Sequence, residues 1–151
     1  MIRVADILLA NLDEAFDRKG FHGTTLRGSL RGLSVEETLW RPGEARHNVW
    51  ELAVHCAYWK YAVRRRLTGE KRGSFPLKGS NFFASPETAD GGAWREALRL
   101  LDSEHSRLRA TIDSLPKAAF GEMKRVRLMY GVAAHDLYHT GQIQLIKRLR
   151  S

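Results

Sequence analysis

The chain has 151 residues, of which 43% are hydrophobic and 28% are charged, as in an ordinary globular protein. This length predicts a single domain over residues 1–151 that can bury a core without disulfides. The chain has 25 lysines and arginines against 17 aspartates and glutamates, a formal net charge of +8. This excess of positive charge suggests an anionic partner such as nucleic acid. The single cysteine, Cys56, excludes an intramolecular disulfide framework and a cysteine-rich zinc cluster.

The first residues do not have the pattern of a targeting segment. Their apolar run is short and is interrupted by Asp6, unlike the core of a signal peptide. No stretch of the chain approaches the roughly 20 apolar residues that a membrane-spanning helix needs. We therefore expect a cytoplasmic protein with no membrane partner.

The first third of the chain predicts one regular helix and two short, irregular ones. Apolar residues recur at helical spacing over about residues 2–18, before the glycines at positions 20 and 23. A second apolar stripe over residues 26–33 is weakened by two glycines, and we expect it to be irregular. Residues 34–37 have the pattern of a capping box that opens a short helical turn.

Three longer amphipathic helices follow, and together with the first they predict an all-α fold. Asn48 is expected to cap the next helix, with Glu51 closing a capping box. The loop over residues 70–92 is long and carries three phenylalanines, which favours a loop packed on the body over one that plugs a site or a dimer seam. We predict an antiparallel four-helix bundle with one long crossover loop, whose last three helices span about residues 49–67, 93–115 and 127–149.

Three histidines fall on stripes that should face the bundle interior. His135 and His139 are four residues apart, so they leave one face of the last helix a turn apart. His55 lies between Leu52 and Trp59 on the inward stripe of another helix. Each buried imidazole needs partners for both nitrogens, which either core hydrogen bonds or a shared divalent metal could supply. Spacing alone leaves both interpretations open.

Two segments and the crossover loop resemble a known family. The run from His47 to Trp59 resembles the second helix of the DinB-like (YfiT-like) metalloprotein superfamily. The run from Gly131 to Ile143 resembles its last helix, with two histidines four residues apart followed by a small residue and Gln142. Residues 79–83 resemble the crossover region of one branch. The histidine spacing is the most specific part of a resemblance that covers nearly the whole chain.

The resemblance implies a four-helix bundle that binds a divalent metal through His55, His135 and His139. Members of the superfamily include thiol-dependent transferases and isomerases, and many are dimers, so a homodimer is expected. Three imidazoles would leave a coordination position open, as in catalytic rather than structural zinc sites. Zinc is the first choice, with nickel or iron as alternatives. The implied function is a metal-dependent transferase or hydrolase acting on a small molecule, such as a thiol.

Other polar residues near this pattern receive weaker interpretations. Glu51 could reach the site as a general base, although a capping role is at least as well supported. Asp136 is expected beside the ligands or at the surface, and Gln142 could orient a ligand. Further predictions are a core histidine at position 105, solvated histidines at 22 and 47, a buried Cys56, and tyrosines 58 and 138 at the edge of the cavity.

Four basic clusters support a competing function. They lie around residues 60–66, 71–72, 124–127 and 147–150. No nucleic-acid-binding motif accompanies them, and several fall at helix C-termini, where cations are favourable, so we prefer a solvated surface. The alternative is a non-catalytic basic bundle that binds nucleic acid or a protein partner, with no metal on its histidines.

Overall fold

The protein is helical throughout, as the sequence predicts. A computed structural model describes residues 1–151 and contains no strand. Helices α1 and α4 to α6 form the bundle, α2 and α3 are single short turns between α1 and α4, and a 3₁₀ helix over Lys117–Gly121 precedes α6. The α-helices are α1 (Val4–Phe16), α2 (Leu26–Leu30), α3 (Val35–Leu39), α4 (Val49–Thr68), α5 (Gly91–Ser114) and α6 (Met123–Arg150).

Local signals account for most of the helix ends. The side chain of Asn48 accepts a hydrogen bond from the Glu51 N–H and begins α4, while Gly69, with φ of 78°, ends it in the left-handed conformation. The side chain of Asp90 caps α5 in the same way. Helix α4 packs chiefly against α5 and α6, and α1 packs against α6 and α5.

Two predicted helices differ from the observed ones at their ends, α1 by about two residues at each end and α6 by about four residues at its start. Helix α1 is shorter than predicted because Arg3 is extended and donates its backbone N–H to the Asp6 carboxylate, which starts the helix at Val4. Helix α6 begins at Met123 rather than near residue 127. Methionine, lysine and arginine are good helix formers, so the helix continues back toward the break at Gly121.

The long crossover loop between α4 and α5 is packed onto the bundle. Phe75 is buried, and Phe82 and Phe83 are partly buried against the larger core. The favoured interpretation of the three aromatic residues therefore agrees with the structure. Phe82 also stacks on His55, with ring centroids 3.9 Å apart, so the loop covers a site as well.

The interior contains two apolar cores and a set of buried polar side chains. One core lies around Trp50, Trp94 and Leu101, and the other around Leu12, Leu108 and Met129. No helix is both long and apolar enough to cross a membrane. The buried polar side chains include those of Asp13, His55, Lys60, Glu104, His105, Asp136, His139 and Thr140.

Candidate metal centre

The structure brings the three predicted histidines together inside the bundle. His55 comes from α4, and His135 and His139 come from successive turns of α6. The Nε2 atom of His135 lies 3.0 Å from that of His55 and 3.1 Å from that of His139. His55 and His139 are 4% and 6% exposed, so water does not solvate these nitrogens freely.

Hydrogen bonds on the far side of two imidazoles fix their tautomers. His55 Nδ1 lies 2.8 Å from the backbone oxygen of Asn81, and His139 Nδ1 lies 2.6 Å from Oε1 of Gln142. Both oxygens can only accept, so each Nδ1 must carry the proton. In the neutral rings, the Nε2 atoms of His55 and His139 therefore each present a lone pair toward Nε2 of His135.

The donor set fits a divalent cation. The ligand nitrogens of a tetrahedral zinc ion, with bonds of about 2.0–2.1 Å, lie about 3.3 Å apart, close to the separations between these Nε2 atoms. Two rings already donate their other N–H to an oxygen, as metal-ligating histidines usually do. His135 Nδ1 is buried and has no partner, so the third ring lacks that support.

Burial keeps the three imidazoles neutral. It lowers the pKa of His55 to about 4, against the opposing hydrogen bond to Asn81. Burial, followed by the two neighbouring imidazoles, lowers the pKa of His135 to about 3. Burial also lowers the pKa of His139, although Gln142 opposes the shift. At neutral pH the rings therefore offer nitrogen ligands without first having to lose a proton.

The crossover loop supplies a contact to His55 that the sequence interpretation missed. Asn81 has a φ of 66°, a left-handed conformation that asparagine tolerates better than most residues. In this conformation its backbone oxygen accepts from His55 Nδ1, and its Oδ1 accepts from Trp59 Nε1 at 3.0 Å. An asparagine after Gly79 was the available signal, but the sequence does not show that the loop folds back over α4.

Glu51 does not close a capping box, contrary to the prediction. Its carboxylate is bound instead by Arg41, at 2.5 Å, and by His47, at 2.8 Å. Burial would raise the pKa of Glu51, but hydrogen bonds from Arg41, His47 and the Ser85 N–H outweigh it and lower the pKa to about 2. A carboxylate held this way is a weak base, so the structure favours an anchoring role for Glu51 rather than general-base catalysis.

A fully buried ion pair lies beside the histidine cluster. Lys60 Nζ and Asp136 Oδ2 are 2.5 Å apart, and both side chains are 0% exposed. The prediction that Lys60 belongs to a solvated basic cluster is therefore wrong, and so is the surface alternative for Asp136. Lys60 follows Cys56 by four residues and Ala53 by seven, which places it on a face of small buried residues.

A second group of metal-ligating atoms overlaps this ion pair. Cys56, His135 and Asp136 each bring one ligand atom within 4.8 Å of the others. Asp136 is already neutralised by Lys60, and burial raises the pKa of the Cys56 thiol well above its usual value, with Asp136 adding to the shift. A protonated thiol is a poor ligand, so the histidine cluster is the better site.

The remaining histidines do not join the cluster. His105 is buried and stacks on Phe16 at 3.7 Å, as predicted for a core residue, but its nearest carboxylate, on Asp13, is 3.9 Å away. His22 is exposed. His47 is only partly solvated, because it contacts Glu51 and stacks on Phe82 at 3.8 Å.

The two predicted tyrosines lie in different surroundings. The Tyr138 ring is 66% exposed, with its centroid 5.1 Å from that of His139, at the edge of the site. Tyr58 packs on the crossover loop against Phe75 and Phe83 instead of lining the histidine cluster. Only Tyr138 is therefore placed where the sequence interpretation put both.

Several members of the basic clusters are used within the chain. Arg64 pairs with Glu70, and Arg150 pairs with Glu37 at 3.2 Å. Lys147 donates to the backbone oxygen of Ser29 at 3.0 Å. The clusters therefore contribute to internal contacts and do not all present free charge to a partner.

Comparison with known proteins agrees with the family resemblance. No curated protein and no solved structure matches the chain. The family model of the DinB superfamily, however, matches residues 21–143, which is most of the chain. This range includes α4, the crossover loop, α5 and the part of α6 that carries His135 and His139. The chain therefore belongs to the DinB superfamily.

Proposed function

We propose that this protein is a metal-dependent enzyme that acts on a small molecule through His55, His135 and His139. The observation that carries the proposal is that Nε2 of His135 lies 3.0 Å and 3.1 Å from the Nε2 atoms of His55 and His139, both of which must present lone pairs. Lone pairs that face one another in a buried site repel unless a proton or a cation lies between them. A divalent cation satisfies all three nitrogens at once.

Zinc is the metal we expect, with nickel or iron as alternatives. Imidazole nitrogen is a suitable ligand for each of these ions, and zinc is commonly held by three histidines in catalytic sites. When bound, the cation supplies a Lewis acid with an open coordination position, which lowers the pKa of a water or thiol ligand. Thiol transfer and hydrolysis are the two reaction types that this chemistry favours.

The chain's own residues would hold and shield the centre. Asn81 and Gln142 orient two imidazoles through their Nδ1 protons. Phe82 covers the His55 ring and limits access of water on that side. Glu51 is held by Arg41 and His47, so proton transfer would be left to the substrate or solvent.

Metal analysis of protein purified without added metal tests the proposal. We expect about one equivalent of zinc, nickel or iron per chain, and a rise in melting temperature when the metal-free protein is given zinc. Metal at a small fraction of one equivalent, together with a melting temperature that does not respond to zinc or nickel, would show that the cluster is a hydrogen-bonded core. Activity is then assayed with thiol and ester substrates on the metal-loaded protein.

We also propose that the protein is a homodimer, as many members of the superfamily are. Support comes from α6, which exposes Tyr138, Leu145 and Leu149 on one side of the bundle. Light scattering at micromolar concentration would give twice the monomer mass, and a monomer mass would contradict the expectation.

A further inference from the structure

Two cavities lie in the groove between α4 and α6, one toward each end of the histidine cluster. The first has a volume of about 580 Å³ and reaches His135. The second has a volume of about 700 Å³ and reaches His55 and His139. Both volumes fall in the range of small-molecule sites. The first, which we call the basic cavity, is lined by Trp59, Arg66, Lys124, Arg127, Tyr130 and His135, among others.

The basic cavity carries uncompensated positive charge. Arg66, Lys124 and Arg127 line it, and no aspartate or glutamate does. None of these three side chains makes a salt bridge within the chain. Three unpaired cations around a concave site create a potential that favours a negatively charged ligand.

The position of two of these cations runs against the preference of the helix. Lys124 lies in the first turn of α6 and Arg127 just beyond it, while the carboxylate of the N-cap residue, Glu122, pairs with Arg125 at 3.1 Å. The N-terminus of a helix carries partial positive charge, so lysine and arginine there are unfavourable by a few tenths of a kcal/mol or more. Neither Lys124 nor Arg127 pairs with Glu122, and cations left unpaired at a helix start are a feature of functional or strained sites. The N-terminal dipole would add to the attraction for an anion.

The same cavity also offers apolar surface. Trp59 is half-buried, and its indole N–H is taken by Asn81, which leaves the ring face as a wall. The Arg66 guanidinium lies 5.4 Å from the Trp59 ring centroid, so cation and aromatic surface are adjacent. Val63, Leu128 and Val132 extend the apolar lining toward the bundle interior. A ligand that fits both features has an apolar body and an anionic end.

We propose that the basic cavity binds a small organic anion, with its charged group at Arg66, Lys124 and Arg127 and its apolar body against Trp59. The inference deepens the proposed function and rests on it only for the claim that the ligand is a substrate, because the cavity reaches His135. A carboxylate, sulfonate or phosphate satisfies the same cations. The substrate class is therefore an amphipathic anion.

Two dyes that differ by one anionic group test the charge requirement on the metal-free protein. The probes are 8-anilinonaphthalene-1-sulfonate and the neutral N-phenyl-1-naphthylamine, followed by fluorescence titration. Replacing both Arg66 and Arg127 with glutamine should weaken binding of the sulfonate about tenfold or more, as expected for lost charged hydrogen bonds, and leave the neutral dye unchanged. Arg46→Gln is the matched control, because Arg46 is exposed and lines the other cavity.

Three outcomes would overturn the inference. They are sulfonate binding that survives the double substitution, an equal loss for both dyes, and a loss caused by Arg46→Gln instead. Zinc titration of the same double variant keeps this result separate from the proposed function. If the dye pattern appears but neither protein binds metal, the anion site stands and the metal-dependent function fails. If both bind metal but the dye pattern is absent, the anion site fails alone.

Discussion

The histidine cluster and the Lys60–Asp136 pair are two buried polar sites that join the same helices, α4 and α6. The ion pair is closed, since ammonium and carboxylate meet at 2.5 Å and both side chains are 0% exposed. The histidine cluster is open in a chemical sense, since three neutral nitrogens converge and two of them cannot donate to the others. The two charges of the ion pair are matched within the chain, although Asp136 Oδ1 has no hydrogen-bond partner, whereas the histidine nitrogens fit a cation from outside the chain.

This difference separates a structural role from a functional one. A buried charge that meets its partner contributes little net stability but becomes very costly when the partner is removed. The histidine cluster consists of neutral groups in the metal-free protein, so removing one imidazole leaves no buried charge without a partner. Substitutions one position apart on α6, at His135 and Asp136, should therefore have different consequences.

The largest expected effect is on folding, from Asp136→Ala. Removing the carboxylate leaves the Lys60 ammonium buried without a partner, and we expect a loss of about 3–5 kcal/mol in the free energy of unfolding. Urea unfolding of the metal-free protein measures it. The matched control is the double variant Lys60→Met with Asp136→Leu, which removes both charges and should recover most of the lost stability. If Asp136→Ala lowered the free energy of unfolding by less than about 1 kcal/mol, water would have to reach the ion pair.

The next effect is on metal binding, from His135→Ala. At a hundredfold excess over its dissociation constant, zinc should stabilise the wild-type protein by about 2.7 kcal/mol, and this stabilisation should be absent in the variant. Circular dichroism should show that most of the helicity remains, because the metal-free cluster does not hold the bundle together. His22→Ala is the control, since His22 is exposed and away from the cluster. Full zinc occupancy in the His135 variant would contradict the ligand assignment.

The contrast between these two sites also explains what the sequence could predict. Histidine at inward positions 55, 135 and 139 is an unusual residue type on an apolar stripe, so periodicity placed the three rings in one interior, and the family resemblance implied that they share a metal. Lys60 lies one turn before Arg64, Arg65 and Arg66 near the end of α4, and it resembled a surface cation for that reason. Its pairing with Asp136 depends on the register of α4 against α6, which no local pattern fixes.

Long-range contacts account for the other gaps. The carboxylate of Glu51 is bound by Arg41 and His47 from the segment before α4, a set of contacts that competes with the local capping box. Asn81 reaches His55 across 26 residues because the crossover loop folds back. In both cases the residue was visible in the sequence, and its partner was determined by tertiary structure.

A smaller effect on metal affinity is expected from Gln142→Leu. Gln142 Oε1 accepts the Nδ1 proton of His139 at 2.6 Å and so keeps the Nε2 lone pair aimed at the cluster. Loss of such an outer contact typically lowers metal affinity about 10–100-fold. Zinc competition with a chromophoric chelator measures the change. Gln142→Glu keeps an acceptor and should retain affinity, and Gln144→Leu, two residues further along the helix, should have no effect.

The smallest effect concerns His105, which is buried like the cluster histidines but does not belong to the cluster. Burial lowers its pKa to about 3, and the cations of Lys60 on α4 and Arg109 on α5 add to the shift. Asp13 on α1 faces it at 3.9 Å, too far for a hydrogen bond. Below the ordinary histidine pKa of about 6.5, the unfolded chain therefore binds a proton that the folded chain excludes.

The stability supplied by His105 is accordingly present above about pH 6.5 and is lost as the pH falls toward 3. His105 contributes at most about 1.4 kcal/mol per pH unit to the slope of the unfolding free energy against pH. His105→Phe keeps a ring against Phe16 and should reduce the dependence of the unfolding free energy on pH by up to that amount, as measured by urea unfolding between about pH 7 and pH 5. Zinc should leave this difference unchanged. If zinc abolished the difference in pH dependence between the wild-type protein and His105→Phe, His105 would be coupled to the metal centre, contrary to the prediction.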